Sequence, residues 1–251
     1  MNTPSEKHPT LDSQVNPLTP TNEFRLATEK LGIIFDEGDL EKLGLFLALL
    51  FNTNKSFNLT RITDPDAAWM RHLFDSITLM GYLKAAEAST VIDIGSGGGL
   101  PGIPLAIVMP EIHFTLLEAT GKKADFLRLA VAELSLSNVS IINDRAETLG
   151  QDREHHREQY DVVTARAVGK LPVLLEISLP LARVGGLVIA IKGEKAAEEV
   201  EQSKKALHML HARVIEQIRT PTGTIVLIEN SRTTPRKYPR QPGEPKRDPL
   251  T

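Results

Sequence analysis

The segment Val91-Ile92-Asp93-Ile94-Gly95-Ser96-Gly97-Gly98-Gly99-Leu100-Pro101-Gly102 constrains this chain more than any other. A short β-branched run ends there in closely spaced glycines, and a helix follows. Glycine has no Cβ and adopts positive φ without penalty, so such a turn brings main-chain N–H groups close to a ligand. Beyond it, apolar runs at Val91–Ile94, Phe114–Leu117, Val139–Ile142, Tyr160–Thr164, Leu187–Ile191, Arg213–Arg219 and Thr224–Ile228 alternate with amphipathic stretches. Helices are predicted over Thr120–Leu134, Leu171–Ala182 and Glu194–Leu210. This alternation predicts an α/β fold, a mostly parallel Rossmann-like sheet with helices on both faces. The last two strands flank Thr220-Pro221-Thr222-Gly223, too short for a crossover helix, so they form an antiparallel hairpin at the sheet edge.

Before the sheet, Leu40, Leu43, Leu47 and Leu50 recur at helical spacing, and Asp64-Pro65 is an N-cap followed by the proline favoured at a first helical position. The chain therefore divides into a disordered extension (1–22, four prolines), a helical cap (23–83), a sheet domain binding a nucleoside cofactor (84–230) and a basic, proline-rich tail (231–251). The net charge of −3 hides that tail, where six Lys/Arg face two Asp/Glu; a basic arm on an acidic body suggests a polyanionic partner. No apolar run approaches the ~20 residues of a membrane helix, and the N-terminal residues show no secretory pattern, so a cytoplasmic location without membrane contact is expected. The absence of cysteine rules out disulfides, Cys-ligated zinc, iron–sulfur clusters and a Cys nucleophile.

Glu118 follows the second strand at the place where a carboxylate accepts ribose hydroxyls. Gly97-x-Gly99-x-x-Gly102 matches the dinucleotide fingerprint, which keeps an NAD(P)-dependent oxidoreductase open. Three details favour S-adenosylmethionine. Asp93 suits a sulfonium and an amino group better than a pyrophosphate, the glycines alternate at 95, 97 and 99, and the sheet ends in a hairpin rather than a sixth parallel strand. A non-catalytic, cofactor-sensing RNA-binding module also stays open.

The run from Asp93 through Leu105 resembles the cofactor loop of the RsmG (GidB) family, bacterial methyltransferases that act on the 7-nitrogen of a guanine in small-subunit ribosomal RNA. Phe57-Asn58-Leu59-Thr60, Arg71-His72-Leu73-Phe74-Asp75-Ser76, Asp144-Arg145-Ala146-Glu147, Thr164-Ala165-Arg166-Ala167 and Lys192-Gly193 resemble that family's blocks in order, and Thr234 to Gly243 resembles an extension of some members. The resemblance implies a Rossmann-like methyltransferase using S-adenosylmethionine, with 16S rRNA or the small ribosomal subunit as partner. It places Gly95 and Leu100 on the methionine and ribose side, Glu118 at the ribose, Ala146 and Glu147 beside the adenine, and Arg166 facing donor and substrate.

A helix over 65–81 sets Leu73, Ile77 and Met80 on one face with Trp69, a core residue, and Arg71, His72, Asp75 and Ser76 on the other. The resemblance turns that polar strip toward the cofactor cleft, with Arg71 and His72 as RNA contacts. Guanine's 7-nitrogen attacks through a lone pair that carries no proton, so no general base is needed and positioning dominates. Asp75 is the candidate to stabilise the positive charge that develops on the ring, and Arg166 the candidate clamp on the methionine carboxylate or an RNA phosphate. Lys192 is a further RNA candidate. In the tail, taken as extended and mobile, Arg236, Lys237 and Arg240 are candidate phosphate contacts and Tyr238 a stacking platform. The histidine pair His155-His156 sits in a charged surface stretch, so no metal is expected, and nothing demands more than a monomer.

Overall fold

A computed structural model describes residues 15–251. The disorder expected of residues 1–14 lies outside the described residues. From Val15 onward the chain is docked, contrary to the expectation of a loose extension through residue 22: the Leu18 N–H donates to the Gly44 carbonyl at 3.1 Å. A side chain at position 44 would collide with the Leu18 carbonyl, so Gly44 lets this segment lie against the next helix.

The cap begins with α1 (Asn22–Lys30) and α2 (Asp39–Asn54). In α3 (Pro65–Ala68), Asp64 accepts the Ala67 N–H at 2.7 Å, the predicted cap. The single helix expected over 65–81 is not formed. Trp69–Phe74 winds as a π-helix, Asp75–Ile77 is α4, and a turn separates it from α5 (Met80–Ala85). A π turn holds more residues than an α turn, which rotates the residues after it away from an ideal wheel. Ser76 is the casualty: it is fully buried and donates to the His72 carbonyl at 2.6 Å instead of joining the polar strip. Trp69 is core as predicted, 4.8 Å from the Phe24 ring.

The strands are β1 (Thr90–Ile94), β2 (His113–Leu117), β3 (Val139–Ile142), β4 (Tyr160–Arg166), β5 (Ala182–Lys192), β6 (Ala212–Thr220) and β7 (Gly223–Asn230). Between them run α6 (Gly102–Val108), α7 (Gly121–Glu133), α8 (Ala146–Gln151), α9 (Leu171–Ser178), α10 (Ala196–Gln202) and α11 (Lys204–Leu210), and α12 (Glu244–Arg247) follows. The spatial order is β3-β2-β1-β4-β5-β7-β6, with β1 to β5 parallel and β7 antiparallel to both neighbours. Each predicted strand is present, and the hairpin reading is correct. The helix expected over Glu194–Leu210 is broken at Ser203, and Thr120 precedes α7 without its side chain capping it.

Alternation along β1 divides the core in two: Val91 joins the cap and α6–α7, whereas Ile92 and Ile94 join α9, α11 and the tail on the opposite face. The tail corrects a second expectation. It is neither extended nor free: Tyr238, Pro245 and Leu250 are buried against the second face. Arg157 donates to the carbonyls of Gly150, Tyr238 and Thr234, each at 2.7 Å. Scattered prolines and single apolar residues dock here without the continuous apolar face that sequence reading looks for.

Candidate functional site

Strands leave β1 in one direction toward β3 and return at β4, so β1 and β4 border the switch point where ligands of such sheets bind, outside the C-terminal strand ends. The glycine turn sits there. Gly95 and Gly97 have φ of +65° and +57°; Gly95 is exposed, although a Cβ there would press on the Val168 side chain, and Gly97 is half-buried with room on its Cβ side. Gly102 serves a different end: a Cβ would collide with Leu116, so its absence lets α6 close on the sheet. Beneath the turn Asp93 is fully buried, with one carboxylate oxygen accepting from Thr164 at 3.0 Å and the other without a partner. Burial pushes its carboxyl up to about 6, against hydrogen bonds and Arg166, which act the other way. On the α6 side its carboxylate is covered by Gly102, where a Cβ would stand 3.1 Å from Oδ2. Leu100 likewise packs into the core rather than facing outward.

Glu118 accepts the N–H of Gly97 at 2.9 Å and of Thr120 at 2.8 Å, one on each oxygen. A carboxylate has about four acceptor sites, so two remain for a pair of vicinal hydroxyls. This set fits the ribose and amino-acid end of S-adenosylmethionine: open glycine backbone at Gly95 and Gly97 next to an anchored acid. Ala146 is half-buried at the start of α8. Glu147 is buried, and its side chain accepts the N–H of Gly243 from the tail at 2.9 Å.

Between the cap and the strand ends lies a cavity of about 750 Å³, lined among others by Thr60, Arg71, His72, Asp75, Arg166 and Thr222. The polar strip thus faces a cleft as expected, Ser76 excepted. Arg166 donates to the Arg71 carbonyl at 3.1 Å and to His72 Nδ1 at 3.3 Å and makes no ion pair among the described residues. Burial lowers its pKa, against the attraction of Asp75 and Asp93. Burial also lowers His72, to about 4, helped by the charge of Arg166, so the imidazole is neutral at physiological pH. Burial raises Asp75, opposed by the hydroxyl of Thr222, which donates to it, and by Arg166 and Arg71.

Other cations stand differently from expectation. Lys192 reaches the cavity, but its ammonium is 2.8 Å from Glu199 and also donates to the Gly169 carbonyl. Arg240 is not a free phosphate contact: it holds the fully buried Glu176, Nη2 to Oε2 at 2.7 Å and Nε to Oε1 at 2.8 Å. Tyr238 is buried and offers no stacking face to a base, with Lys237 Nζ 5.1 Å from its ring centroid. Arg236 and Lys237 remain exposed. Sequence reading assigned no role to Thr60, Thr222 and Glu199. Thr60 did lie in a recognised block, and Thr222 in the predicted hairpin turn.

A family model described as rRNA small subunit methyltransferase G (GidB) matches residues 39–223. The chain is 42% identical over 237 residues to the ribosomal RNA small subunit methyltransferase G of Sorangium cellulosum, covering 94% of this chain and 98% of that one. It is 40% identical over 235 residues to the protein of the same name from Halalkalibacterium halodurans, covering 91% and 98%. Among solved structures, an O-methyltransferase from Bacillus cereus in complex with SAH aligns with a TM-score of 0.56 at 20% identity, over 83% of this chain and 97% of that one; the likeness is one of fold.

Proposed function

Because the chain belongs to the rRNA small subunit methyltransferase G family, it is an S-adenosylmethionine-dependent methyltransferase of small-subunit rRNA, and we propose that its acceptor is the 7-nitrogen of a guanine. This family membership removes the ground for the oxidoreductase and sensing-module readings.

The observation that carries the choice of acceptor is how the cleft's two titratable acceptors are used. His72 is neutral and turned inward on Thr60, Arg166 and the Arg71 carbonyl, and Asp75 accepts from Thr222. The imidazole is thus not presented as a free base, which suits a nucleophile that carries no proton, and Asp75 keeps its second carboxylate oxygen for the charge that develops on the base. S-adenosylmethionine supplies a sulfonium-activated methyl group. The chain's own residues then position: Gly95, Gly97 and Glu118 hold the amino-acid and ribose end, and Ala146 borders the adenine. Arg166, with N–H groups to spare, clamps the methionine carboxylate or an RNA phosphate. As positive charge moves into the base, Asp75 stabilises it. Arg71 at the cleft, with Arg236 and Lys237 on the tail, contributes phosphate contacts in the cytoplasm, where the protein meets 16S rRNA or the small subunit.

The test is transfer of labelled methyl from S-adenosylmethionine to unmodified small-subunit RNA and to small subunits, followed by nucleoside analysis. Label in 7-methylguanosine is the expected result. Label in any other nucleoside overturns the choice of acceptor.

A further inference from the structure

His72 lies in the π stretch with both ring nitrogens engaged: Nε2 is 2.8 Å from Thr60 Oγ1, while Nδ1 is 3.3 Å from Arg166 Nη2 and 3.2 Å from the Arg71 carbonyl. A guanidinium only donates, so the nitrogen that faces it is stable only as an acceptor. A proton on Nδ1 would set donor against donor. The Arg71 carbonyl has a second lone pair beyond the one that Arg166 Nη1 uses at 3.1 Å and could take such a proton, but the charge-assisted bond from Arg166 is the stronger of the two. With Nδ1 accepting from Arg166, the ring's proton is assigned to Nε2, which donates it to Thr60.

The consequence falls on Thr60. Its oxygen also accepts the Ile62 N–H at 3.1 Å, so both of its lone pairs are occupied. What remains is the hydroxyl proton, on a residue that lines the cavity and has no acceptor for that proton among the described residues. Thr60 is thus a donor that cannot accept. On the major-groove edge guanine presents N7 and O6, two acceptors, whereas adenine presents N7 beside an N6 amino donor. A group restricted to donating matches guanine and leaves adenine with two donors opposed.

We propose that Thr60 is a specificity-determining residue that donates a hydrogen bond to O6 of the target guanine, with His72 acting as a positioning residue that fixes its direction. The inference rests on the guanine 7-nitrogen reading and deepens it. It assigns the cap a part in choosing the base as well as in enclosing it.

The test uses the full-length protein with small-subunit RNA. Thr60→Val lowers kcat/KM about fivefold, in line with the ~1 kcal/mol of a neutral hydrogen bond, and Thr60→Ser returns it to within about twofold. Both variants keep the wild-type affinity for S-adenosylmethionine; Thr60→Val, which leaves the His72 and Ile62 donors without an acceptor, melts lower, and Thr60→Ser keeps the wild-type melting temperature. RNA with 2-aminopurine at the target position retains N7 and lacks O6; wild type methylates it at least tenfold more slowly than guanine RNA. A nitrogen–proton correlation spectrum of labelled histidine shows His72 protonated on Nε2. Full activity of Thr60→Val, equal wild-type rates on the two RNAs, or a proton on Nδ1 each overturns the proposal. Label outside 7-methylguanosine in the wild-type reaction is the separate failure of the acceptor reading.

Discussion

On the tail face of the sheet, Arg240 meets the fully buried Glu176 through two of its nitrogens and also reaches Asp248, while Arg157 is saturated by main-chain carbonyls. On the cap face, Arg166 is held by one carbonyl and one imidazole nitrogen and has no carboxylate partner among the described residues. Both faces bury cationic side chains against the same strands, but one completes their hydrogen bonding and the other leaves it unfinished. A buried charge left incomplete costs stability, so it persists where a ligand will complete it. The tail face is therefore read as structure, and the cap face as site.

The largest effect that can break this comparison is on the tail. Arg240→Ala strands the fully buried Glu176 carboxylate and removes the anchor of the tail, and breaking a buried pair from one side costs about 3–5 kcal/mol. Urea unfolding should show that loss, while kcat of the folded fraction stays within about twofold. A large fall in kcat at temperatures where the variant is folded would move the tail into the site.

Next in size is Arg166→Ala, which inverts the pattern. Losing a charge-assisted contact to donor or RNA should lower kcat/KM about 100-fold, roughly 2.7 kcal/mol. Because no carboxylate is orphaned, unfolding free energy should be unchanged or slightly higher. A variant that is active but unstable would make Arg166 a second Arg240.

How much of this contrast is legible in the sequence turns on the range over which each feature is determined. The sheet, the hairpin, the glycine turn and the Asp64 cap depend on local pattern and turn chemistry, and all were read correctly. An ideal wheel over 65–81 groups Arg71, His72 and Asp75 on one polar face, which the family resemblance turns toward the cleft, but it misplaces Ser76, since a π turn has no signature in apolar spacing. The tail contacts of Arg240, Tyr238 and Glu147 escape the sequence for one common reason. Their partners, Glu176, the second core and Gly243, are 64 to 96 residues away or spread over several elements, and no periodicity announces a contact of that kind. Asp93 was assigned by residue type, and only packing shows that α6 covers it. Glu118 stands out in the sequence by its place after the second strand, whereas its hydrogen bond to the Gly97 N–H is visible only in the structure.

A third prediction sharpens the cap side through pH. His72, lowered from 6.5 to about 4, binds fewer protons folded than unfolded between those values, so stability is complete above about 6.5 and is lost as pH falls. Asp93, raised from 3.8 to about 6, binds more protons folded, so its contribution improves as pH falls through 6. The two oppose each other, and wild-type stability should depend only weakly on pH through them. In His72→Gln only the Asp93 effect remains. Between pH 7.5 and pH 5, wild type should lose about 2 kcal/mol relative to that variant. A constant difference across the range would mean that His72 titrates normally and that its ring is not the neutral acceptor facing Arg166.

The smallest expected effect tests whether the tail is structure alone. Arg236 and Lys237 are exposed beside the buried Tyr238, and neither makes an ion pair among the described residues. A rigid tail presents them at fixed positions, where a mobile one would lose part of their contribution to ordering entropy. Each phosphate contact contributes about 0.7–0.9 to the slope of log affinity against log salt. The double variant Arg236→Ala/Lys237→Ala should therefore lower that slope by about 1.5 and weaken RNA binding severalfold at low salt, with melting temperature and donor affinity unchanged. If the slope does not move, the RNA path is confined to the cap face and the tail's charges serve only to hold the tail. If it moves by the full amount, the saturated face takes part in binding through its surface while its interior supplies the rigidity, and the two faces differ in what they bury rather than in whether they meet RNA.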